Sequence, residues 1–351
     1  MSSLKHRSLS TMVTFSLVFG LLVGCQKKSS EEPIVKLAIW GNYLSPDLQK
    51  GFTEQTGIKL ELTHYSSNEE LLAKIQAGGA DIDMGVPSDY MVQIMAQLGL
   101  LESLDKAQLP NFQNLDPKVL NLEYDPGNTY SIPYGWTTTG IVVHKGLYKS
   151  DITSLKDLFE KPELKGQISA LDDMRELAAI SLKLHNHSAN STSAEQVQEA
   201  FRYLKKVKPQ IKVFTSNAVD LLKNKEIKAG LVYSSDALLA QKQNPQIQFS
   251  IPQEGATRAI DSLVIFKHSR RKPQAHAFLN FLMTEDANIK TVQSVRVGPV
   301  VKGVREKLPI GLRDNKALFP DSALYKKLEG IKDLGEANAL YEEQWTQLKL
   351  M

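Results

Sequence analysis

The chain has 351 residues, 42% hydrophobic and 23% charged, an ordinary globular composition with length enough for two lobes. Its net charge is only +3, with Lys and Arg scattered along the chain, which excludes the basic field that nucleic acid requires. One cysteine, Cys25, excludes an intramolecular disulfide and Cys-based zinc sites. Residues 1–25 carry Lys5-His6-Arg7, an apolar run from Met12 to Val23, and Gly24. A charged start, a short apolar core and a small residue mark a secretory signal, too short for a stable span. Residues 26–33, ending Ser29-Ser30-Glu31-Glu32-Pro33, read as a polar tether.

The folded part begins with Ile34 to Ile39, apolar and β-branched as a buried parallel strand should be. It runs into Trp40-Gly41-Asn42-Tyr43, then a helix, then a second strand over Ile58 to Leu62. Asn68 is placed as the N-cap of a helix carrying Leu71, Leu72 and Ile75, ended by Gly78-Gly79. Asp81 to Pro87 is the next strand, with Ser88-Asp89-Tyr90 at its carboxyl end and a helix from Tyr90 to Leu98. Loops and a short helix fill Leu101 to Leu115, and a β-rich run follows Tyr130-Ser131-Ile132-Pro133-Tyr134-Gly135-Trp136.

The alternation then restarts. Ser154 caps a short helix, Gly166 to Leu171 is a strand, and Asp172-Asp173-Met174-Arg175-Glu176 opens a helix to about Leu184. Ser193 to Val207 is helical with a capping-box start. Strands are expected over Ile211 to Phe214, Ala229 to Tyr233, Ile247 to Pro252 and Asp261 to Phe266. Helices are expected over Pro273 to Met283 and Tyr341 to Leu350, with helical character from Asp321. Repeated strand–loop–helix units imply a mostly parallel α/β architecture, and the length implies two such lobes.

In open α/β sheets ligands lie outside the carboxyl ends of strands. The residues predicted there are Trp40, Asn42, Tyr43, Ser88, Tyr90, Asp173, Glu176, Tyr233, Asp236 and Asp261, aromatic and acidic with no Lys, Arg or His. Such a pocket repels anions and suits an organic cation. Ring faces attract ammonium groups by about 0.5–2 kcal/mol each, and carboxylates accept charge-assisted bonds from them. Crowded acids raise one another's pKa unless a cation joins them, which argues for a ligand with more than one positive charge. Taken singly, Asp172, Asp173 and Asp236 also fit as helix caps, Glu176 as a first-turn residue, and Tyr90 and Tyr233 as core. Motifs of other chemistry are missing: no G-x-S-x-G, no P-loop, no G-x-G-x-x-G. His185-Asn186-His187 offers two metal ligands, too few for a site. No cofactor is called for.

Several stretches together resemble bacterial extracellular solute-binding proteins of ABC importers, in particular the spermidine/putrescine-binding group. They are Trp40-Gly41-Asn42-Tyr43-Leu44, Gly51 to Lys59, Val86-Pro87-Ser88-Asp89-Tyr90, Asn111 to Pro117, Tyr130 to Trp136, Asp172 to Glu176 and Ala339-Leu340-Tyr341-Glu342-Glu343. The resemblance implies a two-lobed, type II-like periplasmic-binding-protein fold of mixed, mostly parallel sheets with crossing hinge strands. Lobe 1 would be 34–139 plus 263–300, and lobe 2 would be 140–262 plus 301–351. By position Trp40 and Tyr43 look like the group's aromatic clamp, Ser88 and Tyr90 its first-lobe contacts, and Asp173, Glu176 and Asp261 its ammonium-binding acids. Tyr233 stands where the group usually has Trp, and Asp236 resembles an acid of putrescine-preferring members. Three positions depart: Asn42 replaces a common acid, Ala259 replaces a Trp of spermidine binders, and Arg296 lies where an aromatic is absent near Val297, bringing positive charge toward the cleft.

Leu22-Val23-Gly24-Cys25 resembles a lipobox, which implies a lipid on Cys25 and an extracytoplasmic, membrane-anchored protein; a monomer is expected. The implied function is capture of a small polyamine for a membrane permease, without catalysis. Two other cargoes stay open within the same fold, another organic cation or ferric iron. A third reading, from a different class, is a lipoprotein hydrolase using Asp173 and Glu176 as acid and base.

Overall fold

The computed structural model describes residues 33–78 and 81–351, so the signal segment, Cys25 and nearly all of the tether lie outside the described residues. Ten strands are found among them: β1 (Ile34–Trp40), β2 (Lys59–Tyr65), β3 (Met84–Gly85), β4 (Ser131–His144), β5 (Ile168–Ala170), β6 (Ile211–Phe214), β7 (Ala229–Tyr233), β8 (Ile247–Ser250), β9 (Ala256–Ile265) and β10 (Leu328–Glu329). They hydrogen-bond in the order β2-β1-β3-β9-β4-β7-β5-β6, with β8 on β4 and β10 on β9. β1 pairs in parallel with β2 and β3, and β5 with β6 and β7, as repeated strand–helix crossovers require.

The antiparallel pair β4–β9 joins the two parallel sets. β4 pairs with β9 from Ser131 to Thr138 and with β7 from Thr139 to Val143. On its other side β9 pairs with β3 at Val264 and Ile265. Each of these long strands therefore belongs to both halves, the arrangement of a hinge.

Two large apolar cores follow from this. Val35, Leu37, Phe52, Met84, Ile132 and Phe278 lie in the first, and Ile141, Leu158, Ile168, Leu177, Phe201 and Leu231 in the second. Residues 301–318, expected in the second lobe, pack instead on the first core through Val301, Val304, Leu308 and Leu318. Their strand-poor, Pro-interrupted sequence carries no periodicity that would have assigned them. The C-terminal helix Asn338–Leu350 does pack on the second core, through Tyr341 and Leu348. The described residues form one compact unit, and no described helix is long and apolar enough to cross a membrane.

Most predicted elements are present, with local corrections. Ser67, not Asn68, caps the helix Asn68–Gln76, its hydroxyl accepting from the Glu70 N–H. Ser193 makes no side-chain cap bond. The strand expected over Asp81 to Pro87 shrinks to the two residues of β3, since Asp83 turns its carboxylate back to the Lys36 N–H, Ser269 and Arg271. Gly298 lies against the hinge, in antiparallel bridge to Trp136. A Cβ there would meet the Trp136 indole at 2.0 Å. Gly298→Ala should therefore lower stability by roughly 1–3 kcal/mol through overpacking, read as a lower thermal midpoint with little change in far-ultraviolet circular dichroism.

Candidate functional site

β1 ends at Trp40, and the chain turns at once. Asn42 adopts a left-handed φ of 59°, a conformation Asn tolerates better than most residues. The turn leaves Asn42 exposed, while Trp40, Gly41 and Tyr43 face a cavity of about 380 Å³. Asn42 is thus the one expected site residue that the structure does not bring to the cavity. Trp40 donates its indole N–H to the Val86 carbonyl at 2.8 Å and packs on Tyr65 with ring centroids 4.6 Å apart. Tyr43 is fixed behind by the Tyr134 ring, 5.7 Å away.

Asp261 sits on β9 in the middle of the cavity wall. Tyr43 Oη donates to one of its oxygens at 2.5 Å, and Ser88 Oγ to the other at 2.7 Å. Ser88 is itself held by Asn68, whose amide oxygen takes the Ser88 N–H at 3.0 Å. Burial still raises Asp261 to about 6, although both hydroxyls oppose the shift.

The second half supplies the remaining acids. Asp173 caps the helix Met174–Leu184, accepting from the Glu176 N–H at 3.0 Å, and Tyr233 Oη donates to its other oxygen at 3.4 Å. The cap reading and the site reading of Asp173 both hold. Glu176 accepts from Thr139 Oγ1 at 2.8 Å and from Thr257, one hydroxyl from each hinge strand. Burial first, and then the charge of Asp173, push Glu176 to about 8. Asp236, in the first turn of the helix Ser234–Gln243, accepts from the Ala218 N–H at 3.2 Å, and burial raises it to about 7.

Nine of the ten expected residues therefore line one cavity, together with residues that sequence reasoning did not single out. Asp89 is the most consequential. It follows Ser88 in the connection after β3 and opens the helix Asp89–Gln97, lines the same space, and is pushed by burial to about 7. Its place in a strand-to-helix connection was the available signal. Tyr65, Asn217 and Ile331 have no local signal; Ile331 arrives from the C-terminal segment, and tertiary packing alone brings it there. The expected absence of His fails at the rim, where exposed His64 contributes to the lining. Lys and Arg are not among the lining residues. Arg296 does not bring charge to the cleft. It ends the helix Glu285–Val295 at a left-handed φ of 68°, its backbone N–H bonded to the Val292 carbonyl. Ala259, by contrast, does line the cavity.

The cavity is thus walled by rings and lined by carboxylates whose pKa values burial raises. Residues 48–320 match the family described as bacterial extracellular solute-binding protein. The chain belongs to that family. Among relatives of this solute-binding protein, the spermidine/putrescine-binding periplasmic protein of Salmonella typhimurium is 34% identical over 314 residues, 88% of this chain and 90% of that one. The putrescine/cadaverine-binding protein of Pseudomonas aeruginosa is 30% identical, covering 95% and 98%. A Listeria monocytogenes structure carrying a spermidine/putrescine ABC transporter name superposes with a TM-score of 0.85 at 30% identity, over 90% of this chain and 99% of its own. These relatives are transport proteins, and the solved structures share the two-lobed α/β architecture.

The buried acids make the ligand-free protein sensitive to pH. Asp89, Asp236 and Glu176 have folded-state pKa values near 7 to 8, above the usual carboxylate value near 4. Between those limits the folded state binds more protons than the unfolded state, so stability falls as pH rises. The thermal midpoint of ligand-free protein should drop from about pH 5 to pH 8. Glu176→Gln should flatten that slope; an unchanged slope would show that Glu176 is not one of the groups responsible.

Proposed function

We propose that this solute-binding protein captures a small polyamine, of the putrescine or spermidine class, and delivers it to a membrane permease of an ABC importer. One observation carries the reading: rings and acids from both halves meet in one cavity whose lining holds no Lys or Arg. Trp40, Tyr43, Ser88 and Tyr90 come from the first half, and Asp173, Glu176, Tyr233 and Asp236 from the second. The relatives named for spermidine, putrescine and cadaverine support the same class.

Ring faces and methylene-lined surfaces take the alkyl chain, and carboxylates take the ammonium ends. Only a closed form touches the ligand from both sides, so binding shifts the molecule toward closure. No bond is made or broken, and Asp173 and Glu176 act as acceptors for ammonium rather than as acid and base. Ferric iron fits less well. Burial raises the Tyr90 and Tyr233 phenols well above their usual value, away from the phenolate that iron would need. We further assign Cys25 as the lipidated residue that holds the receptor at the membrane surface; Cys25→Ser should release it into the soluble fraction of expressing cells.

Isothermal calorimetry with putrescine, cadaverine and spermidine tests the amine reading, and absence of heat with all three would sink it. Asp173→Asn should weaken binding about 10- to 100-fold, as expected for a charge-assisted bond of roughly 1.5–3 kcal/mol. An ammonium arriving beside Asp89, Asp236 and Glu176 lowers their pKa values and displaces protons. The apparent binding enthalpy near pH 7 should therefore change with the ionisation heat of the buffer, in the sense of proton release.

A further inference from the structure

A second cavity of about 300 Å³ adjoins the first, and Tyr90 lines both. Neighbouring stretches of chain line the two in turn and form the wall between them. Asn68 faces the ligand cavity and Glu69 the second one. Asp89 faces the first and Met91 the second. Asp173 faces the first, Met174 and Arg175 the second. Ile331 faces the first, Asp333 the second.

Tyr90 is clamped in this wall. Its hydroxyl donates to Glu69 Oε1 at 3.0 Å, and the Arg175 guanidinium lies 5.9 Å from its ring. Arg175 is 2% exposed and ties the wall to the C-terminal segment, through Lys332 O and Asn338 Oδ1, each at 3.0 Å. The second cavity shares part of the chemistry of the first. Leu72, Ile94 and Met174 give it apolar sides, and Glu69, Asp333 and Glu342 give it acids; unlike the first it also has a cation in its lining, Arg175, whose guanidinium is engaged by Lys332 O and Asn338 Oδ1. An alkyl chain bearing a further ammonium group would find apolar sides and three acids there, against one guanidinium.

We propose that Tyr90, held by Glu69 and Arg175, is the length stop of the binding site: it closes the ligand cavity against the second one and so selects short polyamines over long ones. This inference rests on the amine reading above. It makes Tyr90 a specificity-determining residue in addition to a ring contact. Shortening its side chain joins two chambers into one channel, and ligand length then ceases to be limited at that end.

The test is calorimetry with putrescine, spermidine and spermine on the wild-type protein, on Tyr90→Ala and on Tyr90→Leu, the last keeping apolar packing in case the alanine variant does not fold. Wild type should bind spermine at least tenfold more weakly than the best of the shorter amines. In either folded variant the spermine-to-putrescine affinity ratio should rise tenfold or more, and Glu342→Gln added to that variant should reverse part of the rise. Equal weakening of all three amines by both variants overturns the length stop while leaving the amine reading intact, as does wild-type protein that already binds spermine as tightly as putrescine. Wild-type protein that binds none of the three overturns both.

Discussion

The Asp261 carboxylate, bonded by Tyr43 and Ser88, is the contact on which the site depends. Asp261 stands on β9, a strand that belongs to both halves, while Tyr43 and Ser88 come from the loops after β1 and β3. The loops after two strands and the middle of a third are thereby brought to one point. The bonds are made to an acid rather than a neutral acceptor, so they orient the aromatic wall and present negative charge in a single arrangement. Asn68 extends it by fixing Ser88, which explains why a polar side chain is buried at the start of a helix.

Five carboxylates bordering one buried space cost folding energy, because each loses water without a basic partner in the lining. The chain compensates with neutral donors: tyrosine and threonine hydroxyls and backbone N–H groups at helix starts. These hold the acids in place without neutralising them. A salt bridge would have satisfied the acids and left nothing for a cation to gain. Local stability has been given up where ligand charge is to be received, a pattern expected of functional sites.

Much of this was legible in the sequence, and the limits have physical causes. Strand ends carrying Trp40, Tyr43, Ser88, Asp173, Tyr233 and Asp236 could be read because aromatic and acidic residues recur where parallel strands stop. Asn42 misled because adjacency in sequence says nothing about which side of a left-handed turn faces the ligand. Residues 301–318 were assigned to the wrong core because they lack the periodicity that ties a segment to a face. Ile331 and the wall around Tyr90 were out of reach, since they depend on a segment nearly 250 residues away in sequence. Asp89 could have been found; it stood beside a chosen residue and was passed over because an acid at a helix start has an ordinary explanation.

The pairing of β10 with β9 has a mechanical consequence. Leu328 and Glu329 lie alongside Ala256 and Thr257, Ile331 enters the first half, and the helix after Asn338 returns to the second. β10 thus pairs with β9 at Ala256 and Thr257, just beyond the stretch that pairs with β4. The root of the hinge strand is buttressed by a segment that touches both cores, so any flexing there is tied to the seating of the C-terminal helix.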